Sequence, residues 1–184
     1  MGLKEKIEGL RIVLKRPYPT FKLAQQLCAE IKISQDNLRP WLPWANKKYT
    51  KEDAFRYLTD WCEKNWNENK GFTYLIYDKE SEKILGSIDA MKWDEKNKSC
   101  EIGYWLSVNA QGHGYMAEAL VALEQECFAA GIHRIVISND TRNTRSANVA
   151  KRAWYHLDGV LRQNRWDDYS QSFVDSNVWA KIRE

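Results

Sequence analysis

The sequence has little of what would direct it to a membrane, a metal or a nucleic acid. No apolar run approaches the roughly 20 residues that cross a bilayer, and Met1 to Arg16 lacks the apolar core of a signal peptide. The expectation is a cytoplasmic protein with no membrane partner. Cysteines number four, Cys28, Cys62, Cys100 and Cys127, and their spacing has no metal-site pattern, so no metal is expected. A chain of 184 residues needs no disulfide staples, and the thiols read as reduced core fillers. Charge of one sign is scarce too: the formal net charge is +3, with bases and acids interspersed, which argues against a nucleic-acid partner. Long linkers, low-complexity segments and internal repeats are missing, which leaves one continuous domain over residues 1–184.

What is present reads as alternating strands and helices. Leu10 to Leu14 alternates like a first strand, and Thr20 can cap a helix carrying Leu23, Ala24, Leu27, Cys28 and Ile31 on one face. Prolines break the segment from Leu38 to Trp44. Thr50 and Asp53 have capping-box character ahead of Ala54, Tyr57, Leu58 and Trp61 at helical spacing. Strands follow at Phe72–Asp78, Lys83 to about Trp93, and Ser99–Ser107, where Cys100, Ile102, Tyr104 and Leu106 face one way and Glu101, Gly103 and Trp105 the other. A helix to about Ala130 should bury Ala117, Leu120, Val121, Cys127 and Phe128 and stop at Gly131. The apolar run Arg134–Ser138, a helix from Asn143 or Thr144 to about Tyr155, and strands near Leu157–Asp168 and Phe173–Ile182 complete an α+β, mixed-sheet domain. The strand–loop–helix–strand unit over residues 99–138 implies a parallel pair with a right-handed crossover.

The loop Gln111-Gly-His-Gly114 lies between a strand and a helix. Glycines there let an anion approach peptide N–H groups, and the first N–H groups of a helix are unpaired at the positive end of its dipole. This suits a pyrophosphate; two glycines also suit an ordinary tight turn. A Walker loop is excluded, because Tyr115 and Met116 stand where Lys and Ser/Thr would be. His113 reads equally as a solvated loop residue.

Gln111 to Met116 resembles the Q/R-x-x-G-x-G/A signature of GNAT acetyltransferases, with Met116 replacing the last small residue. Glu101–Leu106, Ala117–Leu120, Asn143–Ser146, Val149-Ala150, Leu157–Arg162 and Trp41–Trp44 resemble the RimJ/RimL branch, in order and at the right spacing over roughly residues 10 to 182. The resemblance implies a strongly twisted, mostly antiparallel mixed sheet of about seven strands, helices on both faces and a splayed central parallel pair. It implies acetyl-CoA as donor, with pyrophosphate on the N–H groups of Gly112, His113, Gly114, Tyr115 and Met116 beside Gln111. The pantetheine would run along Trp105, Leu106, Ser107 and Val108, and Asn143 and Ser146 would lie near the thioester. It implies Glu101 as the base, with water, Asp167 or Asp168 as alternatives, and Ser146 acting on the sulfur in place of the tyrosine that many relatives carry where Ala150 stands. Trp41 and Trp44 would either cover the acceptor side of the cleft or pin their loop to the core. Tyr155, at a position that is normally buried and apolar in the family, would offer a hydroxyl near the acceptor only if the departure at Trp154 reshapes the helix end. The acceptor implied is a protein N-terminal α-amine, ribosomal proteins included; the alternatives are a small-molecule amine or an acyl-CoA-binding module without chemistry. Dimers are common among such proteins. Two departures stand out: Trp154 where the family ends a helix on glycine, and Arg165 where some relatives place a glutamate.

Overall fold

The computed structural model describes residues 2–46 and 48–184, apart from the side chain of Asn46. The strands are β1 (Lys6–Glu8), β2 (Ile12–Lys15), β3 (Phe72–Asp78), β4 (Ile84–Asp94), β5 (Ser99–Leu106), β6 (Arg134–Asp140), β7 (His156–Asp167) and β8 (Ser172–Ile182). The helices are α1 (Phe21–Leu38), α2 (Lys51–Arg56), α3 (Lys64–Asn67), α4 (Tyr115–Ala129) and α5 (Thr144–Arg152). The eight strands form one sheet in the order β1-β2-β3-β4-β5-β6-β8-β7. All neighbours run antiparallel except β5 and β6. Among the described residues, no helix is long and apolar enough to cross a membrane.

The strand beyond the expected seven is β1, three residues paired with β2. Leu10, read as the start of the first strand, sits 86% exposed in the connecting turn. A three-residue strand is too short to leave a period in the sequence.

Each face of the sheet has its own core. Ala119, Leu120, Leu123 and Cys127 of α4 and Ala147 and Ala150 of α5 pack with Cys100, Ile102, Ile135 and Ile137 on one face. Ala24, Leu27, Cys28 and Ile31 of α1 and Ala54 of α2 cover Leu75, Ile84 and Trp105 on the other. All four cysteines are free and buried. The buried face of α4 is rotated from the expected one: Val121 is exposed and Ala117 and Phe128 are half-buried, while Met116, Leu123 and Glu124 turn inward. A hydrophobic pattern rejects Glu124, but Lys181 Nζ lies 2.6 Å from its carboxylate, and pairing makes that charge tolerable inside.

The Thr50–Asp53 capping box forms in both directions. After α2 the chain widens into a π-helical turn over Tyr57–Glu63. The wider turn brings Leu58 and Cys62 inward and leaves Trp61 50% exposed, although its spacing from Leu58 suggested the inner face.

Helix α5 ends at Arg152, before the expected Tyr155. Trp154 occupies the left-handed region with φ 62° and is 86% exposed, while the Tyr155 N–H closes on the Ala150 carbonyl at 3.0 Å. A side chain in that conformation costs about 1–2 kcal/mol that glycine avoids. Trp154→Gly should therefore stabilise the fold by about 1 kcal/mol, a Tm rise of about 2–4 °C in calorimetry. A fall in Tm would mean that the indole packs more favourably than its exposure indicates.

Candidate active site

Strands β5 and β6 pair only through Ser99–Glu101 against Arg134–Val136. Beyond that β5 stays with β4 to Leu106 and β6 stays with β8 to Asp140, so the parallel pair opens as a V. The Ser107 N–H donates to the Leu85 carbonyl at 2.8 Å. By the alternation of an antiparallel ladder, the backbone groups of Gly103 and Trp105 also turn to β4, and those of Tyr104 and Leu106 face the gap. This corrects the expected pantetheine track. Trp105 and Ser107 turn their backbone to β4, the Val108 N–H donates to Ser34 Oγ at 2.9 Å, and Leu106 alone of that stretch faces the V, joined by Tyr104. Open strand polar groups are a template for an extended ligand.

At the mouth of the V the chain turns through Val108–Ala110 and the glycine loop into α4. Gly112 and Gly114 both hold positive φ, 85° and 80°. Gly112, His113 and Gly114 are exposed, and a Cβ on Gly112 would meet nothing within 4 Å. The first helical bond is from the Glu118 N–H to the Gly114 carbonyl. The N–H groups of Tyr115, Met116 and Ala117 precede that bond and have no partner within α4. Sequence reasoning missed the cations that frame this loop. Arg11 Nη1 donates to the His113 carbonyl at 3.0 Å, its Nε pairs with Glu118 at 3.0 Å, and its guanidinium lies over the Tyr115 ring. Arg145 Nη1 donates to Gln111 Oε1 at 2.8 Å, and Gln111 Nε2 donates to the Leu106 carbonyl. Gln111 thus ties β5, the loop and α5 together. His113 contributes its carbonyl, with an exposed ring tilted against Tyr115.

Asn143 caps α5 by accepting from the Ser146 N–H at 3.1 Å, so its carboxamide oxygen is committed to the helix. Ser146 Oγ lies 3.1 Å from the Tyr104 hydroxyl, which also donates to the Ser146 carbonyl at 3.2 Å. This contact bridges β5 and α5 across the V. Burial pushes the Tyr104 phenol up to about 12, so it stays protonated at neutral pH. Tyr104 was legible in the sequence only as a core-facing strand residue.

On the opposite face, Glu101 stands where the parallel pairing ends, its carboxylate 2.6 Å from Lys92 Nζ. Asp167 is unsuited as a base: burial raises its carboxyl, but hydrogen bonds from Ser170 and Arg142 outweigh burial and hold it near 2. Arg165 joins the same network, 3.2 Å from Asp140, and Arg142 bridges Asp140 and Asp167 at 2.7 and 2.8 Å. Asp168 is exposed. Tyr155 does not face an acceptor. It is 5% exposed within the α4–α5 core, because the early end of α5 turns it inward beside Glu124. Trp44 is half-buried, edge-on to Trp105 and tilted against Tyr49, and serves as packing; Trp41 is half-buried after α1.

A twisted sheet opened at one parallel pair, with a glycine loop delivering unpaired helix N–H groups to its mouth, is an acetyltransferase scaffold. The chain belongs to the GNAT acetyltransferase family: residues 11–154 match the acetyltransferase (GNAT) domain. It is similar to the ribosomal-protein-serine acetyltransferase of Escherichia coli (strain K12), 31% identical over 114 residues, or 61% of this chain and 63% of that protein. Among solved structures it is similar to the microcin C7 self-immunity acetyltransferase MccE in complex with acetyl-CoA and AMP, with TM-score 0.85, 29% identity and coverage of 94% and 93% of the two chains. The fold also matches the ribosomal L7/L12 α-N-protein acetyltransferase RimL in complex with coenzyme A, with TM-score 0.88, 24% identity and coverage of 97% and 98%.

Proposed function

We propose that this chain, as a single domain, is an acetyl-CoA-dependent N-acetyltransferase acting on a protein N-terminal α-amine, such as that of a ribosomal protein. The observation that carries the reading is the V itself: strand groups of Tyr104 and the Leu106 N–H face the gap and lead to the glycine loop and the N–H groups of Tyr115, Met116 and Ala117 at the start of α4. The loop would hold the pyrophosphate between Arg11 and Arg145, and the strand edge would take the pantetheine amides. Acetyl-CoA supplies an activated thioester carbonyl when bound; the chain's own residues orient it and move protons.

A protein α-ammonium has a pKa of about 7.7–8.0 against about 10.4 for lysine, so its deprotonation is about 3 kcal/mol less demanding at neutral pH. Glu101, directly or through water, is the proposed proton acceptor, and Ser146 the proposed hydroxyl at the sulfur. The E. coli relative's name supports the protein acceptor. The likeness to MccE, whose complex contains AMP, supports the second reading, a small-molecule amine. Rates with peptides bearing a free amino terminus, against polyamines and aminoacyl nucleotides, separate the two. A protein inert toward every amine would be an acyl-CoA-binding module instead.

The edge strand β7 exposes Leu157, Val160, Leu161 and Trp166. An unpaired edge with this much apolar surface suits a second copy of the chain. Light scattering should give a dimer, and Leu161→Lys with Trp166→Glu should yield monomer.

A further inference from the structure

The face of the sheet under α1 and α2 carries a second carboxyl that the reading above does not use. Asp89 of β4 lies opposite Gly103 of β5 in register, and Met91 lies opposite Glu101. Asp89 and Glu101 therefore share one face, diagonally across two paired strands, about 7–8 Å apart at the backbone. Gly103 puts no side chain between them. A Cβ there would meet Met91 Cε at 2.4 Å, so a flexible thioether covers this spot in place of fixed backbone.

The surroundings of Asp89 are polar and incompletely paired. Tyr57, on the π-helical turn, donates to Asp89 Oδ1 at 3.5 Å, a long contact. Thr73 of β3 is its register partner on the other side, and Cys62 of the same turn lies close by. Ser87, two residues along β4 on the same face, is fully buried, and its Oγ has no hydrogen-bond partner. A buried hydroxyl without a well-formed hydrogen bond and a desolvated carboxyl, both set against the Tyr57 hydroxyl, are costly in a structural core. They are suited to an incoming donor. The π-helical turn, a feature frequent at functional sites, is what presents Tyr57 to this spot.

We infer that Asp89, with Ser87 and Tyr57 beside it, is the site that receives the acceptor's ammonium group, ahead of deprotonation by Glu101. The substrate class is then a primary amine that arrives protonated and presents an unhindered –NH3+ over Gly103, where the flexible Met91 side chain has to swing aside. Asp89 would hold the cation by a charge-assisted hydrogen bond. The ammonium gives one proton to Glu101 or its water, and the neutral nitrogen forms the C–N bond as the C–S bond breaks. The nitrogen's second proton leaves as the amide forms, and the thiolate gains a proton at sulfur. The assignment rests on the acetyltransferase reading. Desolvation raises the Asp89 carboxyl from 3.8 to about 6, against the hydrogen bonds of Thr73 and Tyr57 that lower it. It is therefore charged at pH 7 and neutral in mild acid. The other groups facing it are Tyr57 and Cys62, both raised by burial, while the Lys92 cation lies with Glu101.

The test is steady-state kinetics of the full chain with acetyl-CoA and a tripeptide bearing a free amino terminus. Asp89→Asn should raise KM for the peptide at least about tenfold, with a smaller change in kcat. It should also abolish an acidic limb of kcat/KM near pH 6, while coenzyme A affinity stays unchanged by calorimetry. Glu101→Gln should lower kcat instead. Asp89→Asn should also raise Tm at pH 7.5. A carboxyl whose folded pKa is raised loses stability as pH climbs from about 4 to about 6, so the gain should vanish below pH 4. Unchanged KM and pH profile in an Asp89→Asn protein would overturn the Asp89 assignment alone. A wild-type chain that binds acetyl-CoA yet acetylates no amine would overturn the function and this site together.

Discussion

Gly114→Asp should weaken coenzyme A binding at least about a hundredfold while leaving the fold intact. Gly114 is the N-cap of α4 at φ 80°, and a Cβ there comes no nearer than 3.5 Å to its closest neighbour, Arg11 Nη2. Aspartate is among the few residues that tolerate this backbone region, and it is a good cap, so folding costs little. Its carboxylate would face the same N–H groups that we propose for the pyrophosphate and draw Arg11 to itself. Like charges in contact cost several kcal/mol, and each 1.4 kcal/mol is tenfold in Kd. Gly131→Asp is the matched control. Gly131 has φ 96° with nothing within 4 Å of its Cβ position, but it lies at the other end of α4. Calorimetric titration of both variants measures the difference. Equal affinities would remove the anion site from the glycine loop.

Ser146→Ala should lower kcat by about 10²–10⁴, the range for a lost general acid, with coenzyme A affinity nearly unchanged. The Tyr104 proton rests on the Ser146 carbonyl at 3.2 Å, which leaves the serine hydroxyl to donate to the Tyr104 oxygen at 3.1 Å or to turn to a sulfur. When it turns, the Tyr104 proton can swing to Ser146 Oγ and keep it paired. Tyr104→Phe removes the partner but not the acid, so its loss should be smaller, about tenfold. Single-turnover acetyl transfer separates chemistry from product release. Equal rates for wild type and Ser146→Ala would leave the sulfur to water.

Local chemistry writes itself into the chain, and the helix starts follow from it. Thr20 and Thr50 cap α1 and α2, Asn143 caps α5, and Gly131 ends α4. The alternation of β5 separated its two faces correctly, with Cys100 and Ile102 in one core and Trp105 in the other. The glycine loop and Ser146 were readable because backbone freedom and capping act over a few residues.

Other features depend on groups far apart in sequence. Arg11 reaches the loop across 102 residues, and Tyr104 meets Ser146 across 42. Glu124 is inside because Lys181 is there to meet it, and Asp167 is held as a carboxylate by Arg142 and Ser170. Asp89 looks like any polar strand residue until Tyr57 is packed over it. The sequence by itself determined most of the elements, the two faces of β5 and the place of the glycine loop, because propensity, capping and periodicity are short-range. Only the tertiary structure decided which charges meet, which strand groups stay open and how far α4 rotates, because those depend on distance and desolvation between separate elements.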